Sequence, residues 1–179
     1  MIKEIERQIA RLPILQYAFI ETGQIPFSQR VREVCKAECP RYGTSWSCPP
    51  AVGSVEECRK KCLCFDRCLV FSTVAESVDT ADFAQMLETA RAHEKITRKV
   101  RDLFAEKGCE VQALSSESCE TCRTCTYPDA PCRHPDQMFP CVESYGILVS
   151  ELAEKCGMDF SNGAGTVTWF GLILFSDKG

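Results

Sequence analysis

An α/β or α+β fold, with a small sheet of about four strands covered by helices and cysteine-rich loops gathered at one end, is what this chain predicts. Three observations predict it. Short apolar runs alternate with stretches of helical periodicity along the whole chain. Turn-forming Pro40, Gly43, Pro49, Pro50, Pro128, Pro131 and Pro135 concentrate in two segments. Those segments also carry seven of the fourteen cysteines. At 179 residues, one domain spanning 1–179 can bury a real core, and no second is needed.

The elements follow in order. Ile2, Ile5, Ile9 and Leu12 sit at helical spacing, so residues 2–12 read as an amphipathic helix that Pro13 stops. Residues 14–20 read as a strand, and Pro26-Phe27-Ser28 opens a short helix over 28–34 that delivers the chain to Cys35. Ser54, with Glu57 three residues on, forms a capping box that starts a helix to about Leu63. Residues 67–72 form a buried-strand pattern in which Cys68 reads as a small core residue. Thr80 or Asp79 caps a long helix to about Lys107. Its apolar stripe is Phe83, Leu87, Ala90, Val100, Leu103 and Phe104, with His93 packed at the edge and Gly108 as its stop. Residues 109–114 are the next strand. Residues 142–156 read as one helix, with Tyr145, Leu148, Val149, Leu152 and Cys156 on one face and Gly157 at its end. Asn162-Gly163 then turns the chain into 166–175, an apolar central strand.

The most informative stretch runs from Ser118 to Pro135. Cys119, Cys122 and Cys125 fall in succession with two residues between them, and Cys132 follows after six more. Three consecutive turns can each offer a thiolate to a different iron of a cubane, and bacterial ferredoxins use a Cys-x2-Cys-x2-Cys run in this way. Zinc more often takes separated pairs, because one tight turn presents two thiolates to one small ion. Iron-sulfur, zinc and disulfide readings all remain open for the stretch. So does the role of Cys132: the wider gap, and a proline before that cysteine instead of after it, leave open whether it closes the same cluster or reaches another.

A second constellation is Cys35, Cys39 and Cys48, the last followed by Pro49-Pro50. Cys-x3-Cys also opens the radical-SAM motif, but there a third cysteine follows after two residues, not eight, and the chain is too short for the barrel such enzymes use. Three cysteines plus a fourth ligand can hold a second cluster. Cys58 and Cys62, one turn apart on one helix face, are the preferred candidates for that fourth place. Cys141, just ahead of the 142–156 helix, reads as a ligand or a low-pKa thiol. Tyr42 and Trp46 read either as screens over this cluster or as ordinary packing.

Fourteen cysteines raise the alternative of a secreted disulfide scaffold. Charges within Met1–Arg7 fit poorly with a signal peptide, and no segment is long enough to span a membrane. A cytoplasmic setting, where thiols stay reduced, is therefore expected, and the cysteine count hints at an anaerobic host. The net charge of −4 carries no footprint for nucleic acid. Locally, Lys36, Arg41, Arg59, Lys60, Lys61, Arg123, Arg133 and His134 sit near cysteines, either to compensate an anionic cluster or as solvated surface charge.

Taken together, Cys35, Cys39, Tyr42-Gly43, Trp46, Cys48-Pro49-Pro50, the Cys119 to Cys125 run, Cys132-Arg133-His134-Pro135, Glu143-x2-Gly146-Ile147 and Phe170-Gly171-Leu172 resemble a family described as predicted metal-binding proteins, a domain of unknown function. The resemblance covers nearly the whole chain. It implies metal binding by the seven cysteines among these residues, and it implies no reaction.

Three functions are weighed. The first is an iron-sulfur protein with one or two [4Fe-4S] clusters, transferring electrons to or from a redox partner protein. The second is an enzyme whose Cys35 cluster keeps an open iron for a small molecule. The third is a zinc-stabilised binding module, in which metal supplies only folding energy. No Walker loop, Gly-x-Gly-x-x-Gly fingerprint, His-Glu-x-x-His or nucleophile elbow is present.

Overall fold

The apolar run near the end of the chain becomes an interior strand, β4 (Thr166–Ser176), in a computed structural model that describes residues 1–76, 78–79 and 81–177. β4 pairs on one side with β2 (Arg67–Glu76) and on the other with β3 (Glu110–Leu114), so that Val70 and Leu114 both face Leu172. β1 (Gln16–Glu21) joins the outer edge of β2, completing the order β1-β2-β4-β3. Every neighbouring pair is antiparallel, so the fold is α+β. The connection explains why the sequence also reads as α/β. β2 and β3 both oppose β4 and so run the same way, with helix α4 (Phe83–Glu106) carrying the chain between them. β4 fills the slot left open, and a strand-helix-strand pattern ends up in an antiparallel sheet.

Both faces of the sheet are covered. Ile5 and Ile9 of α1 (Ile2–Ile9), with Val100 and Phe104 of α4, bury Leu69, Phe71, Ile173 and Phe175. The alternate residues Cys68, Val70, Leu172 and Leu174 meet Cys58 and Cys62 of α3 (Val55–Leu63) and Val149 and Leu152 of α5 (Val149–Lys155). Burial on both faces is why β2 and β4 carry unbroken apolar runs instead of alternation.

Several boundaries differ from the sequence reading, each for a local reason. α1 ends at Ile9, before Leu12, and β1 begins at Gln16. Helix α2 (Gln29–Glu38) continues past Val34, so Cys35 lies on it and Cys39 follows its last turn. α4 is capped by Asp82, whose carboxylate accepts from the N–H groups of Ala84 (2.9 Å) and Gln85 (3.2 Å). Asp79 instead accepts from Ala81, and Thr80 lies outside the described residues. Phe83 at the start of the expected stripe is exposed, whereas His93 is buried as expected. The single helix over 142–156 is in fact a 3-10 turn (Glu143–Tyr145) followed by α5. Gly146 separates them at φ +79°, where a Cβ would also meet Val55 at 2.8 Å. That break lets Ile147 bridge Phe27 and leaves Leu148 exposed. The α3 capping box forms as expected, with Glu57 N–H donating to Ser54 Oγ at 3.2 Å and Ser54 N–H donating to the Glu57 carboxylate at 2.7 Å. No helix among the described residues is long and apolar enough to cross a membrane.

Gly171 marks the tightest packing in the sheet. It faces Phe71 across the ladder, and a Cβ there would sit 2.7 Å from ring atom Cε1 and 3.0 Å from His93 Nε2. Gly171→Ala is therefore expected to cost about 1–3 kcal/mol, read as a shifted urea midpoint. His93 stacks on Phe71, and its Nδ1 lies 2.8 Å from Thr73 Oγ1. Burial holds its pKa down to about 4, against an ordinary 6.5. Below about 6.5 the unfolded chain binds the proton that folded His93 refuses, so this contribution is intact above 6.5 and lost progressively down to about 4. The slope is up to about 1.4 kcal/mol per pH unit. His93→Gln should flatten that part of the stability-pH curve.

Candidate metal centre

Both cysteine segments start from ordered backbone and then pack on one another. α2 delivers the first at Cys35 and Cys39. The second leaves β3 at Ser115, which forms a parallel bridge with Cys141. Ser47 Oγ accepts the Cys119 N–H at 2.9 Å, and Trp46 Nε1 donates to the Ala130 carbonyl at 3.0 Å. The Trp46 ring meets Tyr127 edge to face at 5.0 Å. Glu120 takes Arg41 of the first loop on one oxygen and Arg91 of α4 on the other, both at 2.7 Å.

Cys119, Cys122, Cys125 and Cys132 line one small cavity shared with Trp46 and Ser47. The long gap before Cys132 is a returning loop. Thr126 Oγ1 donates to the Pro131 carbonyl at 2.8 Å, and Arg133 donates to the Thr124 carbonyl at 3.0 Å, bringing Cys132 back beside the other three. Trp46 thus lines the cavity of the Cys119 run. The Cys119 sulfur also lies 3.5 Å from the Thr121 N–H and 3.2 Å from Thr121 Oγ1.

Of the seven cysteines in the two groups, Cys48 is the buried one. Burial, then the neighbouring Cys39 and Cys48, push the Cys35 thiol up to about 11, with Arg32 opposing. Cys48 is 4% exposed, and burial raises its pKa while the hydroxyls of Ser45, Ser47 and Ser118 pull it down. Thiols crowded like this resist ionising together, and a bound cation removes that penalty because a coordinating thiol is deprotonated outright. Ser47 joins the two groups, since it adjoins Cys48 in the chain and its hydroxyl holds the Cys119 backbone.

Cys58 and Cys62 share one face as their spacing requires, but it is the face that α3 buries. Both are fully buried in the apolar core with Cys68. Cys58 Sγ donates to the Val52 carbonyl at 3.5 Å, and burial pushes Cys62 up to about 12. Cys156 is partly buried against the same core. Cys141 lies beside the Cys35 group, its Sγ 3.2 Å from the Ser144 N–H. Burial, then Glu143, holds its pKa well above the ordinary value, so the low-pKa reading of that thiol is not what the surroundings produce.

Residues 18–175 match the model of a family described as predicted metal-binding protein, DUF2284. The chain belongs to this family. No curated protein and no solved structure matches it.

As a member of DUF2284, the chain has a donor set that fits a thiophilic metal group. All fourteen cysteines are free thiols. Among the described residues no three His, Cys, Asp or Glu side chains converge to hold a single ion, and the thiols line cavities instead. A groove of about 690 Å³ beside Cys119, Cys122 and Cys125 carries Arg41, Arg91, Lys95, Arg98 and Arg123. Arg91, Lys95 and Arg98 come from α4, remote in sequence, and only the packing of that helix reveals them as partners of the cysteine run. Cations so placed compensate the negative charge that thiolate ligands bring.

Glu120→Gln removes the shared counter-charge between the two loops and α4. Because the three side chains are partly exposed, the expected effect is modest. Chelator-driven metal loss should be about two- to fivefold faster, the equivalent of ~0.5–1 kcal/mol, with unfolding nearly unchanged.

Proposed function

We propose that the protein binds one or two [4Fe-4S] clusters and passes single electrons to or from a redox partner protein. The observation that carries this reading is the shared cavity of Cys119, Cys122, Cys125 and Cys132, four thiols in ferredoxin-like spacing brought around one volume. These four would hold one cluster, and Cys35, Cys39 and Cys48 would be the ligands of a second. The clusters supply reversible one-electron chemistry. The chain's own residues supply the rest: Ser45, Ser47 and Ser118 donate toward Cys48, and Arg41, Arg91 and Arg123 offset charge at the run. Donors to sulfur and nearby cations both raise a cluster's potential. Ser47 gives the two groups a contact one residue long, as a short electron path requires.

A second reading is favoured by one further observation. Cys35 and Cys39 line a cavity of about 630 Å³ that also holds Glu117, Glu143, Phe160 and Trp169. A cluster with an open iron facing this space would be placed to bind a small molecule. Glu143 stands exposed at its rim.

Iron, zinc and acid-labile sulfide per chain, measured on protein purified without oxygen together with a visible spectrum, test the proposal. About eight irons with matching sulfide are expected, falling to about four in Cys122→Ser with the other cluster's absorbance intact. Stoichiometric zinc without sulfide would overturn the redox reading and leave a structural metal protein.

A further inference from the structure

We infer that Cys141 is the fourth thiolate of the Cys35, Cys39 and Cys48 group. The inference rests on the reading that this group binds a cluster. Cys141 lies outside both sequence motifs, nine positions past Cys132 and far along the chain from Cys48.

Three independent features bring Cys141 there. First, Cys141 lines the same cavity as Cys35 and Cys39, and its charge neighbours include Cys48 and Cys35. The residues first expected in this place, Cys58 and Cys62, are fully buried and do not line this cavity, and the Cys58 sulfur is taken by Arg32 Nη2 at 3.8 Å and the Val52 carbonyl.

Second, the position of Cys141 is built. The Ser115 N–H donates to the Pro140 carbonyl at 2.9 Å and the Val142 N–H to the Ser115 carbonyl at 2.8 Å, fixing the backbone on either side. Ser144 Oγ donates to the Cys141 carbonyl at 2.6 Å, and the Ser144 N–H points at its sulfur at 3.2 Å. α2 is clamped to the same turn. Arg32 donates to the carbonyls of Gly53 (2.7 Å) and Ser144, and the Ser28 N–H donates to the Gly146 carbonyl at 2.7 Å. Cys35 and Cys141 are thereby held on two segments tied together by two hydrogen bonds, Arg32 to Ser144 and Ser28 to Gly146.

Third, donors wait unused beside it. Ser115 Oγ, at the residue bridged to Cys141, and Ser116 Oγ, in a residue lining the cavity, are both buried without a hydrogen-bond partner. A buried hydroxyl left unpaired is destabilising. For Ser116 Oγ, in the residue that lines the cavity, thiolate or sulfide sulfur is the acceptor this surrounding would offer.

A fourth protein thiolate has a functional consequence. It closes the coordination of the Cys35 cluster, favouring electron transfer over an open iron that binds a substrate.

The test compares anaerobically purified wild type, Cys141→Ala, Cys48→Ala and the exposed-thiol control Cys64→Ala for iron, sulfide and the EPR spectrum of the reduced protein. Cys141→Ala is expected to lose about half the iron or to show a three-iron cluster, as Cys48→Ala does, while Cys64→Ala matches wild type. Full iron and a wild-type spectrum in Cys141→Ala, with loss in Cys48→Ala, would overturn the inference while sparing the cluster reading. About four irons in wild type, unchanged in Cys48→Ala, would instead remove the cluster reading itself and this inference with it. Should Cys141→Ala fail to fold, alkylation of the wild type decides. Cys141 should resist labelling in the metal-loaded protein and react after chelator treatment, whereas Cys64 reacts in both. Equal labelling of Cys141 and Cys64 in the loaded protein would also overturn it.

Discussion

Ionising several thiols side by side in a protein's interior demands a cation at the sulfurs and donors or charges around them. Every notable feature around the two cysteine loops answers one of these demands. Burial and mutual repulsion raise the pKa values of Cys35 and Cys48, so as free thiols they hold their protons. Hydroxyls and backbone N–H groups from Ser45, Ser47, Ser118 and Ser144 point at sulfurs, and arginines from α4 and the loops stand over the Cys119 run. These surroundings suit thiols that would ionise on taking up a metal, in keeping with a family described as predicted metal-binding proteins.

The sheet serves this arrangement by placing chain ends. β3 stops at Leu114 in mid-sheet, opposite Leu172, and Ser115 takes up its bridge with Cys141. α2 packs outside both cores with no residue of its own buried, held by Arg32 and the contacts around Gly146. The cysteine segments therefore hang from two anchored points, and they need little regular structure of their own. Glu120 and Ser47 then join segment to segment and to α4.

Much of this was legible before any coordinates. The α3 capping box, the buried β2 and β4, and the stop at Gly108 follow from local chemistry and appear as expected. Two of the differences share one cause, a deciding partner that lies far away in the chain. Periodicity ran one helix through Gly146, but Val55 and Ser28 leave no room for a side chain there and the helix breaks. Helical spacing placed Cys58 and Cys62 on one face, yet spacing carries no information about whether that face meets a cluster or a core. Phe83 fitted the α4 stripe and is exposed, because Asp82 starts the helix at that residue.

By itself the sequence determined the chemistry available: the Cys-x2-Cys-x2-Cys spacing, the turn residues that keep its backbone irregular, and the strand and helix patterns that supply a scaffold. These are properties of neighbours in the chain, readable within a dozen residues. Only the tertiary structure decided which thiols share a cavity, that Cys132 returns to its own run, that Cys141 stands with Cys35, and that β4 turns a strand-helix-strand pattern into an antiparallel sheet. Those are contacts between segments up to a hundred residues apart. They are set by which apolar faces bury one another and by where the buried polar groups find partners.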